Sequence, residues 1–521
     1  MPYIFPMKLH LCTTAILLLA LSACSSSTSD APAAAPEKPN IIYILADDLG
    51  YGELGVMGQE IIETPHLDAL ANGGMLFTQH YSGAPVCAPA RGVLMMGRHT
   101  GHAYVRGNHE DGARGDVWNF QAMFDNPRLE GQAPIPDSLV TLGEVLQGAG
   151  YTTGIIGKWG LGAPYSEGVP NKQGFNYFFG YNCQRQAHNL YPTHLWENES
   201  RVFLNNELKA PHVKHEQDEE TPDSTFFNQF LQQDFAPDVM QAKALEFVRN
   251  NAENPFFLYY ASPLPHVPLQ APKRWVDHYR GKIGAEADPA YRGKSYFPSQ
   301  YPRATYAAMI SALDEQVGEL VAELKTLGLY ENTLIIFTSD NGPTYAGGAD
   351  TKFFKSAEPF QTEYDRIKGH VYEGGIRVPM IAHWPGTIGA DGTSYHISAF
   401  QDVMPTLSEI AGVEPPVNDG ISFLPAMKGE TQPAHDYLYW EFPAYKGQQA
   451  VRKGNWKAIR KNMHDGNLTL ELYDLSKDVR EANDVAADNP GIVAEMEAIM
   501  LQEHVPSGID RFQFAVLGEK E

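Results

Sequence analysis

The sequence predicts an α/β fold, a mostly parallel sheet sandwiched by helices, with a small C-terminal antiparallel-sheet plus helix subdomain. Three observations carry this reading. Short apolar runs rich in β-branched and aromatic residues recur through the first 400 residues, and helical patterns lie between them. After about Pro415 the runs shorten and are split by glycine-containing turns.

Ile41-Ile42-Tyr43-Ile44-Leu45 is apolar without alternation, the mark of a strand buried on both faces. Thr152 to Ile156, Phe256 to Tyr260, Thr333 to Phe337 and Val378 to Ala382 repeat the pattern. Thr64-Pro65 reads as an N-cap followed by proline at the first helical position. Asp137 is expected to cap a segment whose Leu139, Leu142 and Leu146 share one face. Met309, Leu313, Val317, Leu320 and Leu324 form a longer stripe closed by Gly328. Strands alternating with helices imply a mostly parallel sheet covered on both faces. Further on, Tyr437 to Glu441, Gln449 to Arg452, Trp456 to Arg460 and Leu470 to Tyr473 read as short antiparallel strands, followed by a helix from Pro490 to about Glu503. The acidic run Glu216 to Glu220 reads as a solvated loop.

Composition excludes several classes. Hydrophobic residues make up 43% and charged residues 20% of the 521, which excludes a disordered or fibrous chain. With 63 acidic against 39 basic residues the net charge is −24, the wrong sign for a nucleic-acid partner. The four cysteines, Cys12, Cys24, Cys87 and Cys183, contain no CxxC pair, which argues against a disulfide framework or a thiolate zinc site. Lys8 followed by an apolar run from Leu11 to Leu21 reads as an export signal too short to span a bilayer. Its end, Leu21-Ser22-Ala23-Cys24, resembles the bacterial lipobox, which implies lipidation of Cys24 and an exported protein anchored to the cell envelope, in the outer membrane or periplasm, by lipid only. An ordinary cleaved signal peptide is the alternative. The expected organisation is therefore a lipoprotein signal over 1–23, a flexible tether over 24–38, a catalytic domain over 39–415 and an α+β subdomain over 416–521.

Polar clusters follow the strands. Asp47-Asp48 follow the first, Lys158 the second, His266 comes soon after the third, and Asp340-Asn341 follow the fourth. Ligand sites in open α/β sheets gather at the carboxyl ends of strands. Asp47, Asp48, Asp340 and Asn341 offer three carboxylates and an amide oxygen, a set suited to Ca²⁺ or Mg²⁺ rather than zinc. Cys87-x-Pro89-x-Arg91 would start a helix, which places the cysteine at a helix N-terminus, where an anion is favoured.

Taken together, Cys87-x-Pro89-x-Arg91 with Gly92 to Arg98, Asp47-Asp48-Leu49-Gly50-Tyr51-Gly52, Gly157-Lys158-Trp159, Pro265-His266-Val267-Pro268, Ser339-Asp340-Asn341-Gly342, Lys368 to Gly375 and Glu471 to Leu475 resemble the type I, formylglycine-dependent sulfatases of the alkaline-phosphatase-like superfamily, those like arylsulfatase A in particular. The resemblance runs from about Pro39 to residue 500. It implies hydrolysis of sulfate esters, and conversion of Cys87 by a formylglycine-generating maturation enzyme. An aldehyde hydrate has one hydroxyl to attack sulfur and a second to collapse and expel sulfate, which a serine lacks. It also implies calcium, ahead of magnesium, on Asp47, Asp48, Cys87, Asp340 and Asn341. Arg91 and Lys158 would hold the hydrate, Lys368 and His266 would contact the sulfate, and His266 would protonate the leaving alcohol.

Two departures stand out. Where the family often reads Gly-Lys-Trp-His-Leu-Gly, this chain has Gly160, so the usual hydrate base is missing, and either His99 or His102 is a candidate substitute. Met96 replaces the usual threonine of the maturation motif. Rival readings are a phosphatase or phosphodiesterase of the same superfamily, which would want a Ser or Thr nucleophile and a histidine-rich zinc cluster, and a catalytically silent glycan-binding lipoprotein. The expected substrate is a sulfated small molecule or oligosaccharide. Gln186 to Trp196 mixes aromatic and neutral polar groups as a sugar site requires, so His188 is expected to contact substrate, with Trp440 of the subdomain completing the pocket.

Overall fold

The computed structural model describes residues 2, 38–212, 224–284 and 287–519. The expected leader, Cys24 and the Glu216 to Glu220 run lie outside the described residues, apart from Pro2 and Lys38 at the edges. From Lys38 onward the chain forms one compact unit. No helix among the described residues is long and apolar enough to cross a membrane.

Among the described residues, eleven strands build the main sheet. They are β1 (Asn40–Ala46), β2 (Met75–Tyr81), β3 (Thr152–Lys158), β4 (Tyr177–Tyr181), β5 (His194–Glu197), β6 (Ser200–Phe203), β7 (Phe256–Ala261), β8 (Thr333–Ser339), β9 (Arg377–His383), β10 (Gly392–Ser394) and β11 (Ser398–Ala399). The order is β10-β2-β9-β8-β1-β7-β3-β4-β5-β6, with β11 beside β2. The centre, β8-β1-β7-β3-β4, is parallel, whereas β9 runs antiparallel to both β8 and β2. The five expected apolar runs are β1, β3, β7, β8 and β9. Six strands that sequence patterning did not identify, β2, β4, β5, β6, β10 and β11, lack a long β-branched run; β2, for example, is broken by Thr78, Gln79 and His80.

The sheet is buried on both faces by alternate residues. Ile42 and Ile44 pack with the helices Pro65–Asn72, Ala236–Asn250 and Pro302–Thr326, the last carrying the expected stripe from Met309 to Leu324. Ile41, Tyr43 and Leu45 pack on the opposite side with the helices Cys87–Met96, Leu142–Gly148 and Val403–Ala411. Two expected caps are corrected. Thr141, not Asp137, caps the helix that starts at Leu142, through a reciprocal box with Glu144, so Leu139 lies outside it. Thr64 does not cap its helix; its hydroxyl accepts from the Gly55 N–H at 2.8 Å and donates to Asp68.

The subdomain sheet is β12 (Leu438–Phe442), β13 (Gln448–Lys453), β14 (Trp456–Lys461) and β15 (Leu470–Asp474), antiparallel in that order. Met496, Ile499 and Met500 of the helix Pro490–Glu503 cover one face. The other face packs Trp440, Ala450 and Ile459 against Tyr81, Val371 and Ile376 of the main unit. At the centre of that seam Lys457 is fully buried between Glu373 at 2.8 Å and Glu481 at 3.0 Å.

Trp440 is itself buried, 2% exposed, and its indole N–H donates to the Ser82 carbonyl at 2.9 Å. It has no face to offer a ligand, so the expectation of a sugar contact there is corrected to packing. Trp440→Ala is expected to cost about 3–5 kcal/mol of stability by opening a large cavity in the seam, read as a lower midpoint in denaturant unfolding. A loss under about 1 kcal/mol would show that the seam closes without it.

Candidate active site

Strand direction explains why the site residues meet. Asp47-Asp48 leave β1, Lys158 ends β3, His266 follows β7, and Asp340-Asn341 leave β8, all at the carboxyl edge of the parallel core. Two antiparallel steps return β2 to the direction of β8, so β2 also ends at this edge, and Cys87 opens its helix six residues beyond the last residue of β2. Lys368 reaches the same edge from the other direction, in the loop that leads into antiparallel β9.

The result is a buried charge cluster. Lys158 Nζ lies 2.6 Å from Asp47, Arg91 binds Asp340 at 2.9 Å and approaches Asp47 at 3.7 Å, and Lys368 Nζ sits 2.6 Å from Asp48. Asp47, Asp48, Asp340, Arg91 and Lys158 are all 0% exposed. Asp48 adopts φ +67°, a left-handed conformation aspartate tolerates, and its N–H donates to Asp340 Oδ1 at 3.1 Å. Asn341 donates its amide to Asp48 at 2.8 Å. Below the cluster Ser82 donates to the Asp340 carbonyl, and Ser82 is the residue whose own carbonyl Trp440 holds.

Crowding decides the protonation states. Burial raises Asp340, and the neighbouring Asp47 pushes it further, to about 7. Burial would raise Asp47 too, but Lys158, His266 and Arg91 overcome it and hold that carboxyl well below the usual range. Cys87 Sγ donates to Asp47 Oδ1 at 3.3 Å, and burial together with Asp340 and Asp47 pushes the thiol far up. An unaltered thiol here is protonated and a poor nucleophile.

The donor set mixes carboxylates with a thiol and an imidazole, and it is the carboxylates that suit a hard divalent cation. Donor atoms of Asp47, Asp48, Cys87 and His266 lie within 4.8 Å of one another. Asn341 Oδ1 is buried without a hydrogen-bond partner among the described residues. An orphaned amide oxygen beside crowded carboxylates is what such an ion would satisfy.

His266 faces the cluster from the β7 side. Its Nδ1–H donates to the Val267 carbonyl at 2.6 Å, so Nε2 points inward, 3.5 Å from Asp48. Burial and then Lys368 lower its pKa to about 4. His188 stacks on it, with ring centroids 4.8 Å apart and planes 6° from parallel. His212 and Tyr296 close this ring cluster, His212 by a 2.7 Å bond to His188. Both were missed from sequence, since they stand in loops without a motif. The rest of the Gln186 to Trp196 segment cements the fold, with His194 and Trp196 both turned to buried Glu130.

Position 160 is a glycine at φ +78° whose missing side chain would point between Arg91 and Gln184. Gln184 was also missed; it is buried, and its Oε1 has no partner among the described residues. His99 and His102 are not at the site. They lie beyond the far end of the ten-residue Cys87 helix, about 15 Å away at 1.5 Å per residue, bound to Asp419 and Glu503. The expectation that either replaces the missing histidine is corrected on that ground.

The comparisons agree with this geometry. A family model described as Sulfatase matches residues 39–413, and one described as N-sulphoglucosamine sulphohydrolase, C-terminal, matches 363–505. The N-acetylgalactosamine-6-sulfatase of Sus scrofa is 33% identical over 426 residues, covering 79% of this chain and 69% of the relative. Human arylsulfatase A is 31% identical over 526 residues, covering 93% and 90%. The crystal structure of Ps i-CgsB superposes with a TM-score of 0.69 at 28% identity, covering 90% of this chain and 94% of that one. Its complex with k-i-k-neocarrahexaose gives 0.69 at 27% identity with the same coverage. An alkaline-phosphatase-like sheet, a buried cluster at its carboxyl edge and these matches place the chain in the sulfatase family of sulfuric ester hydrolases.

Proposed function

We propose that this protein cleaves sulfate esters of carbohydrates, with Cys87 converted to Cα-formylglycine as the nucleophile and calcium held by Asp47, Asp48, Cys87, Asp340 and Asn341. The observation that carries the reading is the placement of Cys87, first residue of its helix and 3.3 Å from Asp47, among Arg91, Lys158, Lys368 and His266. An inert thiol at the focus of a cation-lined pocket makes sense as the precursor of another nucleophile. Carbohydrate as substrate is supported by the ring cluster beside His266, and by relatives named for sulfated sugars, N-acetylgalactosamine-6-sulfatase among them. Delivery to the cell envelope through a lipidated Cys24 would bring such an enzyme to external glycans.

Calcium, when bound, supplies Lewis-acid polarisation of a sulfate oxygen. The chain's own residues do the rest. Arg91 and Lys158, held by Asp340 and Asp47, fix the position of residue 87 and neutralise charge around it. Lys368 and His266 Nε2 face the same space from the mouth, where they would grip an ester oxygen. With Nδ1 tied to Val267, only Nε2 of His266 can pass a proton to the leaving alcohol. An anion bound between His266 and Lys368 favours the protonated ring that this step needs. Gln184 Oε1, without a partner among the described residues and beside Gly160, offers a hydrogen-bond acceptor next to Arg91.

Three outcomes test this. Cys87→Ala is expected to abolish turnover, and Cys87→Ser to keep the fold and bind substrate without turning it over; mass spectrometry of the Cys87 peptide should show the aldehyde or its hydrate. Substantial turnover by either variant removes the formylglycine role. Chelation is expected to lower both activity and Tm, because Asp47, Asp48 and Asp340 would then repel one another, with calcium but not zinc restoring both. Restoration by zinc alone would contradict the all-oxygen site. His266→Ala should lower kcat/KM on alkyl and sugar sulfates by roughly 100-fold or more, and on nitrophenyl sulfate far less, since a phenolate leaves without help. Equal losses would take His266 out of the acid role, and a parent enzyme active on aryl but on no sugar sulfates would end the carbohydrate reading.

A further inference from the structure

Beside the ring cluster lies a cavity of about 440 Å³, lined by Trp118, Phe120, Arg185, Leu208, Pro211 and His212. It is joined to the reacting centre through packed rings, because His212 lines the cavity and also touches His188. Two ring contacts, 4.9 Å to His188 and 4.8 Å on to His266, connect them.

Arg185 is the only charged side chain lining this cavity among the described residues. Its guanidinium lies over the Trp118 ring at 3.5 Å, a stack that fixes the plane of the fork. Glu110 attracts it through space, but no carboxylate among the described residues comes within ion-pair distance of it. The chain carries 63 acidic residues against 39 basic ones, so an arginine in a cleft with no carboxylate partner among the described residues departs from the surroundings. Trp118, 59% exposed, is a large apolar surface kept open at the same place. A planar, pre-oriented, unpaired fork matches a sulfate or a carboxylate, which it can meet with two parallel hydrogen bonds.

We propose that Arg185, braced on Trp118, reads a second anionic group, a sulfate or a carboxylate, on the sugar next to the one being desulfated. This rests on the carbohydrate reading above and adds to it that the substrate is an oligosaccharide with an acidic neighbour. His188 and His212 span the step between the two positions, so one sugar ring lies against them while the acidic group of the next enters the cavity. The net charge of −24 does not oppose such a ligand, since each anionic group has its own localised cation.

The test uses a sulfated monosaccharide that the protein hydrolyses and three disaccharides of it, in which the neighbouring sugar is neutral, carries a second sulfate, or is a uronic acid. The parent is expected to prefer one or both acidic disaccharides over the neutral one, and the pair of acidic arms tells sulfate from carboxylate. In Arg185→Ala the acidic-to-neutral ratio of kcat/KM is expected to fall roughly 10-fold, mainly through KM. Arg185→Lys should recover only part of it, because an ammonium keeps the charge but not the fork. Trp118→Ala should lower the same ratio by releasing the guanidinium. A parent without acidic preference, or a ratio unchanged in Arg185→Ala, overturns the proposal while leaving carbohydrate hydrolysis intact. A parent that turns over aryl sulfates and no sulfated sugar overturns both.

Discussion

Three carboxylates and three cations removed from water at one edge of a sheet set the terms for the rest of the molecule. Asp47, Asp48 and Asp340 would be untenable together if they were buried alone, because each ionised group loses its hydration and repels the others. Arg91, Lys158 and Lys368 answer them within 2.6–2.9 Å, at contacts whose geometry leaves little slack. The balance of formal charge is close to neutral without an ion. Adding a divalent cation therefore leaves surplus positive charge, which suits an anionic ester inside a chain that carries −24 overall. The acidic surface and this buried, charge-balanced cluster are separate features, and only the second surrounds Cys87.

A cluster of this kind cannot be assembled locally, because breaking one buried pair leaves an uncompensated charge. Strand order supplies the convergence. Residues more than 300 positions apart meet because β1, β3, β7 and β8 end at one edge, and because two antiparallel steps bring β2 and the start of β9 to that edge as well. The subdomain adds support from behind. Trp440 holds the Ser82 carbonyl, the Ser82 hydroxyl holds the Asp340 carbonyl, and Lys457 locks the loop before β9 through Glu373. Packing far from the reacting centre thus fixes the backbone from which the ligand residues project.

Much of this was legible in the sequence, for identifiable reasons. The central strands are buried on both faces, so they read as unbroken apolar runs, and the polar residues just after them stand out by contrast. The stripe from Met309 to Leu324 and the helix Pro490–Glu503 were read where they occur, because long periodic patterns survive tertiary context. The edge strands β4 to β6 and the strand β2 did not show, since shorter or half-polar segments carry a weaker signal. Direction was not legible either: the run Val378 to Ala382 in β9 is apolar without alternation, like those of its parallel neighbours. Among site residues, those within motifs were found. His212, Tyr296 and Gln184 were not, because loop residues reach the site through the fold and leave no spacing to read. Trp440 misled for a related reason, as an aromatic between polar residues in a short strand can face either way.

Gly160 shows how motif and geometry have to be combined. From the motif alone the position is a loss, a histidine replaced by the one residue without a side chain. In the fold it is a site with room, bounded by Arg91 and Gln184 and in a φ region that glycine enters without strain. A side chain would be held there at an energetic cost, whereas the glycine leaves the space open and Gln184 Oε1 unpartnered. An amide oxygen is a hydrogen-bond acceptor that does not titrate, so it can orient a hydroxyl but not carry away its proton. Gly160 and the Gln184 oxygen left without a partner among the described residues are therefore one feature of the fold: the glycine opens a space that the amide borders and that a side chain would occupy.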